Sequence, residues 1–163
     1  MTALAPRRPV AAVVTDGPES VTVARCAARI AAEQGRPLLL LLVPMLRSAF
    51  SADAVIAARV HREALREAEA VAARTRPVLD AAGVPARVQV VWHRSCAFRR
   101  ARQGRAIALA HAAGRAGAAV VVTPAGLPLP TVRHGAEVLL VAAGAAALVT
   151  VRRPARSRGL AEL

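Results

Sequence analysis

The chain has 163 residues, is 55% hydrophobic but only 2% aromatic, and carries a formal net charge of +13. The length suits one domain with a substantial core, and roughly a quarter of the chain is Ala, so that core is close-packed from small aliphatic side chains. The longest uncharged apolar run, Val138 to Val151, spans 14 residues with Gly144 inside it, which excludes a membrane-spanning helix of about 20 residues.

Pro9 to Val14 reads as a short buried strand. Thr15-Asp16-Gly17-Pro18-Glu19-Ser20 follows as a turn into a helix, with Gly17 open to positive φ, Asp16 accepting from nearby amides and Ser20 as the expected N-cap. A strand, a turn with an acid and a glycine, and a helix N-terminus form a ligand corner in α/β proteins. Val21 to Gln34 is the helix, with Val23, Ala27, Ile30 and Ala31 on its core face and Gly35 closing it. Leu38 to Val43 is an unbroken apolar run between Pro37 and Pro44, the signature of a central strand.

A long Ala/Arg/Glu helix is expected over Asp53 to Ala82, kinked or divided at Pro77. Val84 to Trp92 is the third strand. His93 to Arg105 is a basic segment containing Arg94, Arg99, Arg100, Arg102 and Arg105. Ala106 to Ala116 is a helix with Ile107, Leu109, Ala110 and Ala113 as core contacts. Ala118 to Thr123 is the fourth strand and Glu137 to Ala142 the fifth, with Ala147 to Val151 as a sixth strand or hairpin arm. Strands alternating with helices imply one α/β domain over residues 9–151, an open parallel sheet with helices on both faces. Residues 1–8 form a flexible N-terminus and 152–163 a basic tail.

Charge is unevenly placed. Residues 1–80 hold 11 Arg and 8 acids, residues 81–163 hold 12 Arg and 2 acids, and no acid lies between Asp80 and Glu137. All basic residues are Arg, a bias that fits a GC-rich coding sequence, yet the field still attracts anions. The Arg94–Arg105 cluster follows a strand, so Arg99, Arg100 and Arg102 are either an anion site at the carboxyl edge of the sheet or a solvated loop. Phe50, Trp92 and Phe98 are too few for a base-stacking surface, so no specific nucleic-acid partner is expected. Cys26 and Cys96 fit no metal spacing, and His93 with Cys96 has no second pair. No secretory h-region is visible, so the expectation is a cytoplasmic protein with reduced thiols. No nucleophile has a locally placed base, and the chain reads as non-enzymatic.

The order Val13-Val14-Thr15-Asp16-Gly17-Pro18-Glu19-Ser20, Leu41-Leu42-Val43, Ala106 to Ala110, Ala118 to Val122 and Thr131 to Val141 resembles the universal stress protein family across residues 9–142. The resemblance implies a five-stranded parallel sheet of order 3-2-1-4-5, a homodimer through the last strand, and a nucleotide site at Asp16, Gly17, Val43, Thr123 and Gly126. Members that bind ATP carry Gly-x2-Gly-x9-Gly-(Ser/Thr) after the fourth strand. Here Pro124-Ala125-Gly126-Leu127-Pro128-Leu129-Pro130-Thr131 offers Gly126 alone, Gly135 follows after eight residues, and Ala136 replaces Ser or Thr. Proline supplies no N–H for a phosphate cradle, and the fourth helix is missing. The expectation is a binding or regulatory module, of a kind linked to stress response, with a degenerate nucleotide site and no ATP cofactor. Two alternatives are an adenine-nucleotide-binding protein that holds phosphates on the Arg-rich loop, and an enzyme of the ATP pyrophosphatase kind, faintly echoed by Thr15 to Ser20.

Overall fold

Hydrogen-bonded apolar strands dictate the architecture. The computed structural model describes residues 7–42, 54–92 and 101–142. Within them run β1 (Val10–Val14), α1 (Ser20–Gln34), β2 (Leu38–Leu42), α2 (Ala54–Ala82), β3 (Ala86–Val90), α3 (Ala101–Arg115), β4 (Val120–Pro124) and β5 (Glu137–Val141). All strand pairs are parallel, in the order β3-β2-β1-β4-β5. That is the expected sheet.

The central strands are apolar at every position because both faces are covered. All five residues of β1 and of β4 are buried. Side chains alternate across the sheet. Val10, Ala12, Val14, Leu38, Leu40, Val120 and Val122 pack with α1 and α2 on one face. Ala11, Val13, Leu39, Leu41 and Val121 pack with α3 on the other. Strand β3 lies at an edge and is mostly exposed, which explains its polar composition, Ala-Arg-Val-Gln-Val.

Helix α1 buries Val23, Ala27, Ile30 and Ala31, the face its spacing predicts. Gly35 ends it in the left-handed region at φ 57°, and Arg36 N–H then donates to the Ala31 carbonyl at 2.9 Å. Ser20, however, is not the N-cap. Glu19 occupies that position without a side-chain cap, and the Ser20 hydroxyl turns back to the Thr15 carbonyl.

Four other expectations are corrected. Helix α2 continues through Pro77 as one element and is not divided there; Pro77 is exposed, facing away from the core. Helix α3 starts at Ala101, so Arg102 and Arg105 belong to its first turns and not to a loop. Ile107 is 41% exposed, because the core stripe is Ala106, Leu109, Ala110 and Ala113, at i, i+3, i+4 and i+7. Strand β3 is also shorter than Val84 to Trp92. The proposed sixth strand, Ala147 to Val151, lies outside the described residues.

No α-helix joins β4 to β5. Residues 125–136 contain a single 3-10 turn, Arg133–Gly135. Leu127, Leu129 and Val132 fold down from this connector and fill the second face beside α3. At its far end Arg8 ties the connector to the sheet: its guanidinium donates to the carbonyls of Gly117 at 2.9 Å, Ala118 at 2.8 Å and His134 at 2.9 Å. His134 itself sits at φ 67°.

Candidate functional site

Strands β1 and β4 are neighbours, and the chain leaves them in opposite directions, to β2 and to β5. Their carboxyl ends therefore border the switch-point crevice in which open α/β sheets hold ligands. Ala12 pairs with Val122. That is the last pair between them, two residues short of Val14 and Pro124 where the strands end.

On the β1 side, Thr15 organises the turn. Its Oγ1 accepts the Gly17 N–H at 3.2 Å, and its carbonyl accepts the Ser20 hydroxyl. A hydroxyl two residues ahead of a glycine amide is a self-contained turn. The sequence reading gave this role to Asp16, which is instead exposed. A Cβ at Gly17 would lie 2.9 Å from Glu19 Oε2, the end of a flexible side chain that can move aside. The Glu19 carboxylate thus folds back over the turn beside Asp16.

On the β4 side, Thr123 is fully buried and its hydroxyl donates to the Leu127 carbonyl at 3.0 Å. The Leu127 N–H donates to the Pro124 carbonyl at 2.9 Å, and the Ala125 N–H to Val141 at 2.8 Å. Gly126 is exposed at the tip of this turn.

Two arginines meet the crevice. From α2, Arg74 Nη1 donates to the Asp16 carbonyl at 3.4 Å. From the first turn of α3, Arg102 Nη2 donates to the Gly126 carbonyl. Of the residues the sequence singles out, Asp16 and Gly17 lie in the turn after β1, Gly126 lies in the turn after β4 with Arg102 against it, and Thr123 is buried in β4. Val43, Arg99 and Arg100 lie outside the described residues, as do His93 and Cys96. The sequence reading missed Thr15 and Arg74. Thr-x-Gly after a strand is a legible turn signal. Arg74 carries no such signal, being one of several arginines on a long helix.

Other chemistry is sparse. Among the described residues, no group of three or more His, Cys, Asp or Glu could hold a metal ion. No helix among them is long and apolar enough to cross a membrane. His61 of α2 stacks on Trp92, with ring centroids 4.4 Å apart and planes 12° from parallel. Cys26 is a free buried thiol, and burial pushes its pKa up, with Arg29 opposing and Glu33 adding to the shift.

No family model matches the sequence, and no curated protein matches it. Solved structures do. A universal stress protein from Archaeoglobus fulgidus is 13% identical, with 83% of this chain and 93% of that one covered, at a TM-score of 0.52. The universal stress protein from Archaeoglobus fulgidus in complex with dAMP is 14% identical, with coverage of 76% and 86% and a TM-score of 0.51. A universal stress protein in complex with cAMP is 19% identical, with coverage of 84% and 98% and a TM-score of 0.51. At such identities the likeness is one of fold, and in that sense the chain is placed: it has the universal stress protein fold.

Proposed function

We propose that this chain is a non-enzymatic binding module whose β1–β4 crevice takes an adenine nucleotide by its adenosine end and lacks a cradle for a triphosphate. The observation that carries the reading is the state of the amides after β4. Those of Ala125 and Leu127 are used inside the protein, and Pro124, Pro128 and Pro130 have none. A phosphate chain lying on this turn would meet few donors. The adenosine end is supported by the exposed Asp16 at the switch point and by two proteins of the same fold that hold dAMP and cAMP.

A second reading, in which Arg99 and Arg100 hold the phosphates together with Arg102 of α3, is favoured by one observation: Arg102 reaches the Gly126 carbonyl. Cytoplasmic regulation linked to stress, through a homodimer formed along the last strand, belongs to the same proposal.

Thermal-shift titration with adenosine, AMP and ATP tests it, alongside assays for phosphate and pyrophosphate release. The expected result is stabilisation by AMP that ATP does not exceed, and no turnover. Saturable low-micromolar ATP binding that outcompetes AMP, or release of pyrophosphate, overturns the reading.

A further inference from the structure

Arg74 and Arg102 approach the crevice from opposite faces of the sheet. Helix α2 packs on the face shared with α1, and α3 on the other. Their guanidinium groups donate to the carbonyls of Asp16 and Gly126, which lie in the turns that leave the neighbouring strands β1 and β4. We propose that Arg74 and Arg102 form a two-sided guanidinium clamp for a single phosphate group at the mouth of the crevice, so that the ligand is a nucleoside monophosphate. This rests on the adenosine reading above and adds to it the phosphate's location.

The donor geometry supports the clamp. A guanidinium has five N–H groups in one plane, suited to forked contact with an oxyanion. Among the described residues each of these two donates to one carbonyl, and both are exposed. The carbonyl contacts hold the arginines at the site in advance, which lowers the ordering cost of binding.

Charge sets the size of the anion. Asp16 is exposed in the turn after β1, and the Glu19 carboxylate lies close to Gly17 in the same turn. Two guanidinium groups offset those two carboxylates, and the broader field from the acid-free stretch between Asp80 and Glu137 adds attraction. A single phosphate fits that balance, whereas a triphosphate would bring its further charges against the acids. The carboxylates in turn suit ribose hydroxyls, which need acceptors.

Isothermal titration of the full chain with adenosine and with AMP tests the clamp, using Arg74→Ser and Arg102→Ser, with Arg76→Ser as a control that removes the same charge from an exposed site on α2. AMP is expected to bind at least about tenfold more tightly than adenosine, as charge-assisted contacts allow. Arg74→Ser and Arg102→Ser should each weaken AMP by about fivefold or more while leaving adenosine within about twofold, and Arg76→Ser should change neither. If a Ser variant melts early by circular dichroism, the Lys variant of that position, which keeps charge but not the fork, replaces it and should still weaken AMP. Equal binding of AMP and adenosine, or equal effects of all three Ser variants, overturns the clamp. If neither compound binds, the adenosine reading falls by itself. Inorganic phosphate then decides the clamp, which stands if phosphate binds the native chain and not the two variants, and falls otherwise.

Discussion

The Thr123 hydroxyl donates to the Leu127 carbonyl at 3.0 Å, with the Thr123 side chain wholly buried. This bond curls the chain as it leaves β4 and sends Leu127 and Leu129 down onto the second face of the sheet. The connector thereby covers apolar surface that a helix between β4 and β5 would cover, and its amides turn inward as it does so. Core packing and the internal use of the Ala125 and Leu127 amides go together in this turn.

Thr123→Val keeps the shape and removes the donor, leaving a buried carbonyl unpaired. The expected cost is about 1–2 kcal/mol, read as a melting temperature lower by about 2–4 °C per kcal/mol for a chain of this size. Thr123→Ser, which keeps the hydroxyl, should lie closer to the native value. A Val variant as stable as the native chain would show the bond to be dispensable.

Arg8 braces the opposite edge of the sheet through three carbonyls. Two of its bonds are exposed, so Arg8→Ala should cost only about 1 kcal/mol in urea unfolding. Arg8→Lys should recover little of that, because an ammonium cannot reproduce the fork. Full recovery by Lys would mean that charge at the end of α3 matters, and not the geometry.

Cys26 should resist alkylation in the folded chain at neutral pH, with the test run on a Cys96→Ser background. Burial raises its pKa in the folded state, so the unfolded thiol ionises first. The associated stability is fully present below the ordinary thiol range, about 8.5, and is lost as pH rises through the folded pKa. Melting curves should therefore hold steady through neutral pH and lose this contribution at alkaline pH. Rapid labelling of Cys26 at pH 7 without unfolding would contradict the assignment.

The net charge of +13 predicts weak retention on any polyanion at low salt. Duplex DNA binding should fall steeply between roughly 50 and 200 mM salt and show no sequence preference. Tight binding to one sequence at 200 mM would require a reading surface that the three aromatic residues do not suggest.

The sheet was legible because its strands are short apolar runs with clear punctuation. Leu38 to Val43 between two prolines admits little else, and Val10 to Val14 ends at Gly17 in the same manner. The strand order was legible only through the family resemblance, since periodicity does not rank parallel neighbours. Local chemistry was less legible. Ser20 has the composition of an N-cap, yet its hydroxyl satisfies Thr15, because the turn brings that carbonyl within reach. Arg102 and Arg105 looked like loop residues because arginine-rich segments carry no strong helix start, and tertiary context set the start of α3 at Ala101. Arg74 was invisible as a site residue, because only the packing of α2 over the sheet aims it at Asp16.

The most direct measurement is a crystal structure of the chain soaked with AMP. The account predicts adenosine in the crevice between the ends of β1 and β4, with Asp16 near the sugar and the phosphate between Arg74 and Arg102. A phosphate resting on the amides of residues 125–127, or a nucleotide bound elsewhere on the sheet, would contradict it.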